Sequence, residues 1–197
     1  MKSFFALLDR LNVAPDESRA DIERFIWETF QCDKAVLALD MSGFSTSVRR
    51  NGILPYLCQI RRMQLLTGPV LRDYDGELVK YEADNLLAVF ADPRQAVEAA
   101  IAINRIVLTS SPSSRAGSPL EVCIGIDYGR LLLVPGTDCF GDPKNIAYKL
   151  GEDVARSGEI LITKEMRERL GETPPFQFEE MVLSLSGLEL VAYKVLY

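Results

Sequence analysis

The stretch that decides the fold is KAVLALDMSGFS, Lys34–Ser45. Ala35, Val36, Leu37, Ala38 and Leu39 form an unbroken apolar run, short, rich in strand formers and closed by a turn signal. That composition predicts a strand buried on both faces, because a strand with one wet face would alternate with polar residues. The run ends on a carboxylate, Asp40; Gly43 then permits a tight turn and Ser45 can cap the helical pattern that follows. The backbone N–H groups of Met41–Ser45 are therefore expected at a helix N-terminus, where anions are favoured. An acid beside such a turn is electrostatically consistent when a divalent cation lies between acid and anion. The competing reading is local: Asp40 as a cap for the turn.

Downstream of this strand a helix is expected from about Ser45 to Leu66, with Gly68-Pro69 as its stop signal and a bend at Pro55. Its apolar side is Ile53, Leu54, Leu57, Ile60 and Met63, and Arg49, Arg50, Arg61 and Arg62 supply solvated charge. ELVKYEADNLLAVF, residues 77–90, predicts a β-hairpin: strands Glu77–Ala83 and Leu86–Phe90 around an Asp84-Asn85 turn. Lys80, Glu82 and Asp84 recur at spacing two and share a face; that face is either solvated or functional. Pro93 opens a second helix, lined by Ala96, Val97, Ala99, Ala100, Ile103 and Ile106, and residues 110–119 have loop composition.

Glu121–Tyr128 and Arg130–Val134 predict strands around Gly129, followed by a Pro135-Gly136-Thr137 turn. Asp142-Pro143 opens a helix on which Asn145 and Lys149, four apart, share one side, next to an apolar stripe of Ile146, Ala147, Leu150 and Val154. A strand Glu159–Thr163, a short helix Lys164–Leu170 and a last strand Leu188–Tyr197 complete the chain. The order β-α-β-β-α-β predicts an α+β, ferredoxin-like core with a C-terminal αβ extension and its helices on one side of the sheet. Ahead of it, residues 1–33 predict two short helices. The first carries Phe4, Leu7, Leu8 and Leu11 and ends at Pro15; the second is capped by Ser18 and lined by Ile22, Phe25, Ile26 and Phe30, with Trp27 off the stripe. They pack on the core or pair with a second chain. The domain division is thus 1–33, a helical segment, and 34–197, one compact unit.

Composition narrows the chemistry. Of 197 residues 48% are hydrophobic, and the net charge of −6 argues against a nucleic-acid footprint or a basic membrane patch. No apolar run is long enough to span a bilayer, and Asp9 and Arg10 interrupt the N-terminal apolar residues too early for a signal peptide. Cys32, Cys58, Cys123 and Cys139 lack CxxC spacing and are expected as reduced core thiols in a cytoplasmic protein. The chain has no histidine. Ser-His-Asp and Cys-His catalysis and His-ligated zinc are thereby excluded, leaving carboxylates, lysine or arginine, amides and a hard cation.

LALDMSGFS, VKYEADNLLAVF, GIDYGRLL with FGDPKNIAYKLGEDVA, and GEILIT together resemble, in order and spacing, the class III adenylate/guanylate cyclase catalytic domain over about residues 34–197. The resemblance implies that Asp40 and Asp84, with the backbone carbonyl of Met41, bind two Mg²⁺ or Mn²⁺ ions per site. It implies that the turn Gly43, Phe44 and Ser45 holds a triphosphate, that Lys80 and Asp138 read the base, and that Asn145 orients the ribose. Lys149 stands where the family has an arginine that stabilises the transferred phosphorus. The implied activity is conversion of ATP to 3′,5′-cyclic AMP and pyrophosphate in a homodimer whose sites are shared between subunits. The alternatives are a cyclase for GTP or a pyrimidine nucleotide, or a catalytically silent module that binds nucleotide or dimerises. Ala83 replaces the usual glycine, Lys149 lacks the two-pronged fork of arginine, and a shortened Gly129–Gly141 connection leaves Cys139 as a competitor for the inward position of Asp138.

Overall fold

The computed structural model describes residues 3–42, 52–110, 120–172, 174–185 and 188–197. Gly43, Phe44 and Ser45, and most of the loop 110–119, lie outside them. Helices α1 (Phe4–Val13) and α2 (Asp16–Phe30) precede β1 (Gln31–Met41); then follow α3 (Ile53–Asp73), β2 (Glu77–Glu82), β3 (Asn85–Phe90), α4 (Pro93–Thr109) and β4 (Val122–Val134). The rest is β5 (Asp138–Phe140), α5 (Asp142–Tyr148) with a π-helical continuation Lys149–Val154, β6 (Ile160–Thr163), α6 (Lys164–Arg169), β7 (Gln177–Leu185) and β8 (Leu188–Leu196). The strands form one sheet in the order β2-β3-β1-β4-β6-β8-β7, with β5 paired to the end of β4. β1 is antiparallel to both β3 and β4, so β2-β3-β1-β4 is the expected ferredoxin-like core, and β6–β8 extend it.

Ala35–Leu39 are buried, as an apolar run in a central strand requires. Ala35, Leu37 and Leu39 face a core with α3 and α4, whereas Val36 and Ala38 face a second cluster that includes Ala147 of α5. The helices therefore cover both faces of the sheet, not one: the run is apolar at every position because each face has its own helical layer. α5 reaches its face closely because β4 has no side chain at Gly125, where a Cβ would lie 2.1 Å from the Ala147 carbonyl oxygen.

Several local expectations are corrected. α3 runs through Gly68-Pro69 to Asp73. Pro69 removes one helical N–H, at a cost of about 3 kcal/mol, but Val70 and Leu71 beyond it are buried in the core, and burial of two such side chains contributes roughly 1.5–3 kcal/mol each. The buried side of α3 is Tyr56, Met63, Thr67, Val70 and Leu71, while Ile53, Leu54 and Leu57 are exposed. Apolar residues nearly encircle this helix, so periodicity alone could not select a face. α2 starts at Asp16 behind Pro15, and the Ser18 hydroxyl donates to the Pro15 carbonyl rather than capping. The strands around Gly129 are one strand, β4, and Cys58 is exposed rather than in the core. β7 was not anticipated at all.

The hairpin turn is shifted by one residue. Glu82 pairs with Asn85, leaving Ala83-Asp84 as the turn, and Ala83 has φ +51°. That conformation costs an L-residue roughly 1–2 kcal/mol, while glycine gains roughly 0.4–1 kcal/mol of freedom in the unfolded chain. Ala83→Gly is thus expected to raise stability by about 0.5–1 kcal/mol in urea unfolding; a loss of stability would contradict the left-handed turn.

α1 and α2 pack through Phe4, Leu7 and Ile26 on Leu132, Val134 and Phe140 of the β4–β5 hairpin, with the rings of Phe4 and Phe140 stacked at 5.3 Å. Among the described residues no helix is long and apolar enough to cross a membrane.

Candidate active site

Asp40 follows the buried stretch of β1, and alternation from Val36 and Ala38 puts it on the α5 face. Asp84 arrives from the hairpin turn. Its Oδ2 accepts a 2.6 Å hydrogen bond from the hydroxyl of Tyr56, whose ring is buried in α3. Folding brings these carboxylates together at an electrostatic cost. Burial, and then the charges of Asp84 and Glu152, push the Asp40 carboxyl up to about 7. Burial, Asp153 and Asp84 likewise raise Glu152, against a hydrogen bond from Asn85. The Oδ1 of Asn85 is buried without a partner.

A divalent cation fits this donor set. Its oxygens are hard, carry excess negative charge and lie beside an unsatisfied acceptor. Among the described residues no group of three or more His, Cys, Asp or Glu side chains could hold a metal ion, so a cation here would draw on one or two carboxylates together with phosphate and water. The Met41 backbone lies at the end of β1, opposite Val122.

Lys80 and Asp138 meet directly, with Nζ 3.0 Å from Oδ2. A bulge between Leu78 and Lys80 makes this possible: Leu78 pairs with Ala88 and Lys80 with Leu87, so Lys80 shares the α5 face with buried Val79. Simple alternation would have separated them. Glu82 lies 2.5 Å from Lys80 at the exposed rim. Its hydrogen bond, and that of Asp138, raise the Lys80 pKa against the effect of burial.

The β4–β5 register, Val134 with Asp138 and Leu133 with Cys139, directs Asp138 to Lys80 and Cys139 into the core. Burial pushes the Cys139 thiol up to about 11. Burial also opposes ionisation of Asp138, but hydrogen bonds from Lys144, Lys80 and the Cys139 N–H hold its carboxyl below the usual range.

Asn145 and Lys149 lie on the exposed side of α5 and at the start of the π-helical segment, opposite buried Ala147 and Leu150. π-Helical turns are uncommon and concentrate at functional positions. The structure therefore brings Asp40 with Asp84 and Lys80 with Asp138, and presents Asn145 and Lys149 outward.

Three residues of this region escaped the sequence reading. Tyr56 was legible as the start of a Tyr56, Met63, Val70 stripe at spacing seven. Lys144 stands four residues from both Phe140 and Tyr148, the spacing that stacks side chains along a helix. Glu152 gave no signal, since its approach to Asp40 depends on the π turn.

No family model matches the chain. A Rhizobium meliloti (strain 1021) protein described as "Putative adenylate cyclase 3" is 25% identical over 134 residues, which is 68% of this chain and 22% of that protein, so the chain spans about a fifth of that relative. Among solved structures, the adenylate/guanylate cyclase/hydrolase from Silicibacter pomeroyi superposes with a TM-score of 0.73 at 23% identity, over 85% of this chain and 98% of that one. The catalytic core of a rhodopsin-guanylyl cyclase with converted specificity, solved in complex with ATPαS, has a TM-score of 0.74 at 18% identity, over 84% and 97%. With its sheet order, its helical layers and these superpositions in agreement, the chain has the fold of the class III nucleotide cyclase catalytic domains.

Proposed function

We propose that residues 34–197 are a nucleotide cyclase domain that converts ATP to 3′,5′-cyclic AMP and pyrophosphate in a homodimer, with residues 1–33 as an appended helical segment. The observation that carries this reading is the Asp40–Asp84 pair. The two carboxylates come from separate elements, and burial, then the charges of Asp84 and Glu152, push Asp40 up to about 7, a cost that a bound cation would relieve. Asp40, Asp84 and the Met41 carbonyl would hold two Mg²⁺ or Mn²⁺ ions. The chemistry these supply when bound is a lowered pKa for the attacking 3′-hydroxyl and neutralisation of the departing pyrophosphate.

The protein's own groups do the positioning, which dominates catalysis of phosphoryl transfer. Lys80 donates to N1 of adenine and Asp138 accepts from its 6-amino group. Asn145 orients the ribose, Lys149 offsets charge on the phosphorus oxygens, and Gly43, Phe44 and Ser45, which lie outside the described residues, are assigned to the phosphates. Asn145 and Lys149 face outward on each copy, which suits a site completed by a second copy with C₂ symmetry. The free cysteines suit the reducing cytoplasm. A nucleotide-binding module without turnover is the second reading, favoured by the left-handed Ala83 beside Asp84.

The test is incubation of the purified protein with each of the four nucleoside triphosphates and Mn²⁺, with cyclic products resolved by chromatography. Guanine reverses the donor and acceptor at the positions adenine uses. Each mismatched buried group costs about 1–3 kcal/mol, so ATP is expected to exceed GTP by tens-fold or more in kcat/KM. Lys80→Glu with Asp138→Cys should erode that ratio. GTP turned over faster than ATP by the wild type would overturn the base assignment, and no product from any nucleotide would leave the binding module.

A further inference from the structure

The proposed base-reading pair is not a pair. Lys144 Nζ lies 2.7 Å from Asp138 Oδ1, on the opposite oxygen from Lys80. All three side chains are largely enclosed: Lys144 and Asp138 are 18% exposed and Lys80 24%. The Lys144 ammonium also lies over the rings of Phe140 and Tyr148, at 5.6 and 5.9 Å from their centroids, which holds it in place. One lysine suffices to neutralise one carboxylate. With Glu82 2.5 Å from Lys80 at the exposed rim, the cluster sets two lysines against two carboxylates, and Lys144 is paired with Asp138. An ammonium has three N–H donors, and Lys144 uses one on Asp138.

Resting on the proposed assignment of Lys80 and Asp138 to the base, we infer that Lys144 is a third base-binding residue, which makes the pocket present donor, acceptor, donor. That pattern complements a base edge reading acceptor, donor, acceptor. Adenine has it in N7, the 6-amino group and N1; uracil has it in O4, N3–H and O2. Guanine sets the acceptors N7 and O6 side by side, and cytosine does the same with N3 and O2, so either would set an acceptor against the Asp138 carboxylate. Asp138 Oδ1 accepts from Lys144 and the Cys139 N–H, while Oδ2 accepts from Lys80.

The experiment measures binding and turnover separately for the wild type, Lys144→Met and Lys144→Arg. Binding of ATP, UTP, GTP and CTP is read by calorimetry, and kcat and KM by product formation. Met keeps the length and the packing on the rings and removes the donor; Arg restores it. A charge-assisted hydrogen bond corresponds to about a tenfold change in affinity. The wild type should bind ATP and UTP tens-fold more tightly than GTP and CTP through Asp138 and Lys80. Lys144→Met should bind ATP and UTP about tenfold more weakly, read in KM with little change in kcat, and Lys144→Arg should recover that affinity.

Unchanged affinity for ATP and UTP in Lys144→Met, or a loss of kcat alone, would overturn the inference. Weaker ATP binding by Lys144→Met with no cyclic product from the wild type would uphold Lys144 and defeat the cyclase reading. Turnover by the wild type with ATP affinity unmoved in Lys144→Met would do the reverse. UTP ahead of ATP would uphold Lys144 while displacing ATP as the substrate.

Discussion

Asp40→Asn is expected to abolish cyclic-nucleotide formation and, at the same time, to raise the melting temperature of the metal-free protein at pH 8. Both results follow from one feature. The Asp40 carboxyl is raised to about 7 by burial and by Asp84 and Glu152, so the folded state binds its proton more tightly than the unfolded state does. The stability contributed by that proton is complete below about pH 4, declines as the pH rises, and is gone above about pH 7. At pH 8 the wild type holds an ionised, crowded carboxylate, and asparagine removes that charge without changing shape.

A divalent cation bound as proposed would offset the same cost in the folded state, so added Mn²⁺ should raise the melting temperature of the wild type and not that of the variant. If Asp40 is a ligand as proposed, its loss should reduce activity beyond the roughly tenfold to hundredfold typical of removing a group behind a ligand. Asp84→Asn should act in the same direction on activity. Near-normal turnover in either variant would remove the carboxylates from the mechanism. A fall in stability of Asp40→Asn at pH 8 would contradict the electrostatic account.

Gly125→Ala should be the most damaging substitution of a single hydrogen by a methyl group. The added Cβ would lie 2.1 Å from the Ala147 carbonyl oxygen and 2.6 Å from the Gly151 nitrogen. Both are backbone atoms, so no side-chain rotation relieves the contact. Overpacking ordinarily costs about 1–3 kcal/mol, and here the expected loss is about 3 kcal/mol or more, read by chemical unfolding. The helix that must move carries Asn145 and Lys144 and leads into Lys149, so activity should fall further than stability alone accounts for. Gly136→Ala is the control. Gly136 has φ +67° in a turn with open space around it, and its replacement should cost only about 1 kcal/mol of backbone strain. Equal effects of the two substitutions would refute the close approach of α5 to β4.

Much of the core was legible because local composition and tertiary environment agree there. The run Ala35–Leu39 has no polar position, and it occupies the one kind of strand that permits this, with helices on both faces. Pro93 behind Asp92 starts α4, and the Asp92 side chain accepts from the Arg94 N–H as a cap should. The C-terminal strands were half legible: Leu188–Leu196 forms β8, but its partner β7 mixes charged and apolar residues at the sheet edge and carries little periodic signal. The expected site residues Asp40, Asp84, Lys80 and Asp138 were named from short motifs; Tyr56, Lys144 and Glu152 were not, since their approach to Asp84, Asp138 and Asp40 is set by tertiary packing.

Sequence alone specified most elements in order, though not β5 or β7, together with the buried central strand and the lack of histidine chemistry, because these are readable from residue type and local spacing. Only the tertiary structure decided which side of α3 is buried, that α3 continues through Pro69, and that helices flank both faces of the sheet. Those outcomes turn on burial energies that depend on which surface lies opposite. It also decided that Lys80 meets Asp138, since a bulge of one residue in β2 and the pairing of β5 with β4 set which face each side chain takes, and neither the bulge nor the pairing partner is written in the local pattern.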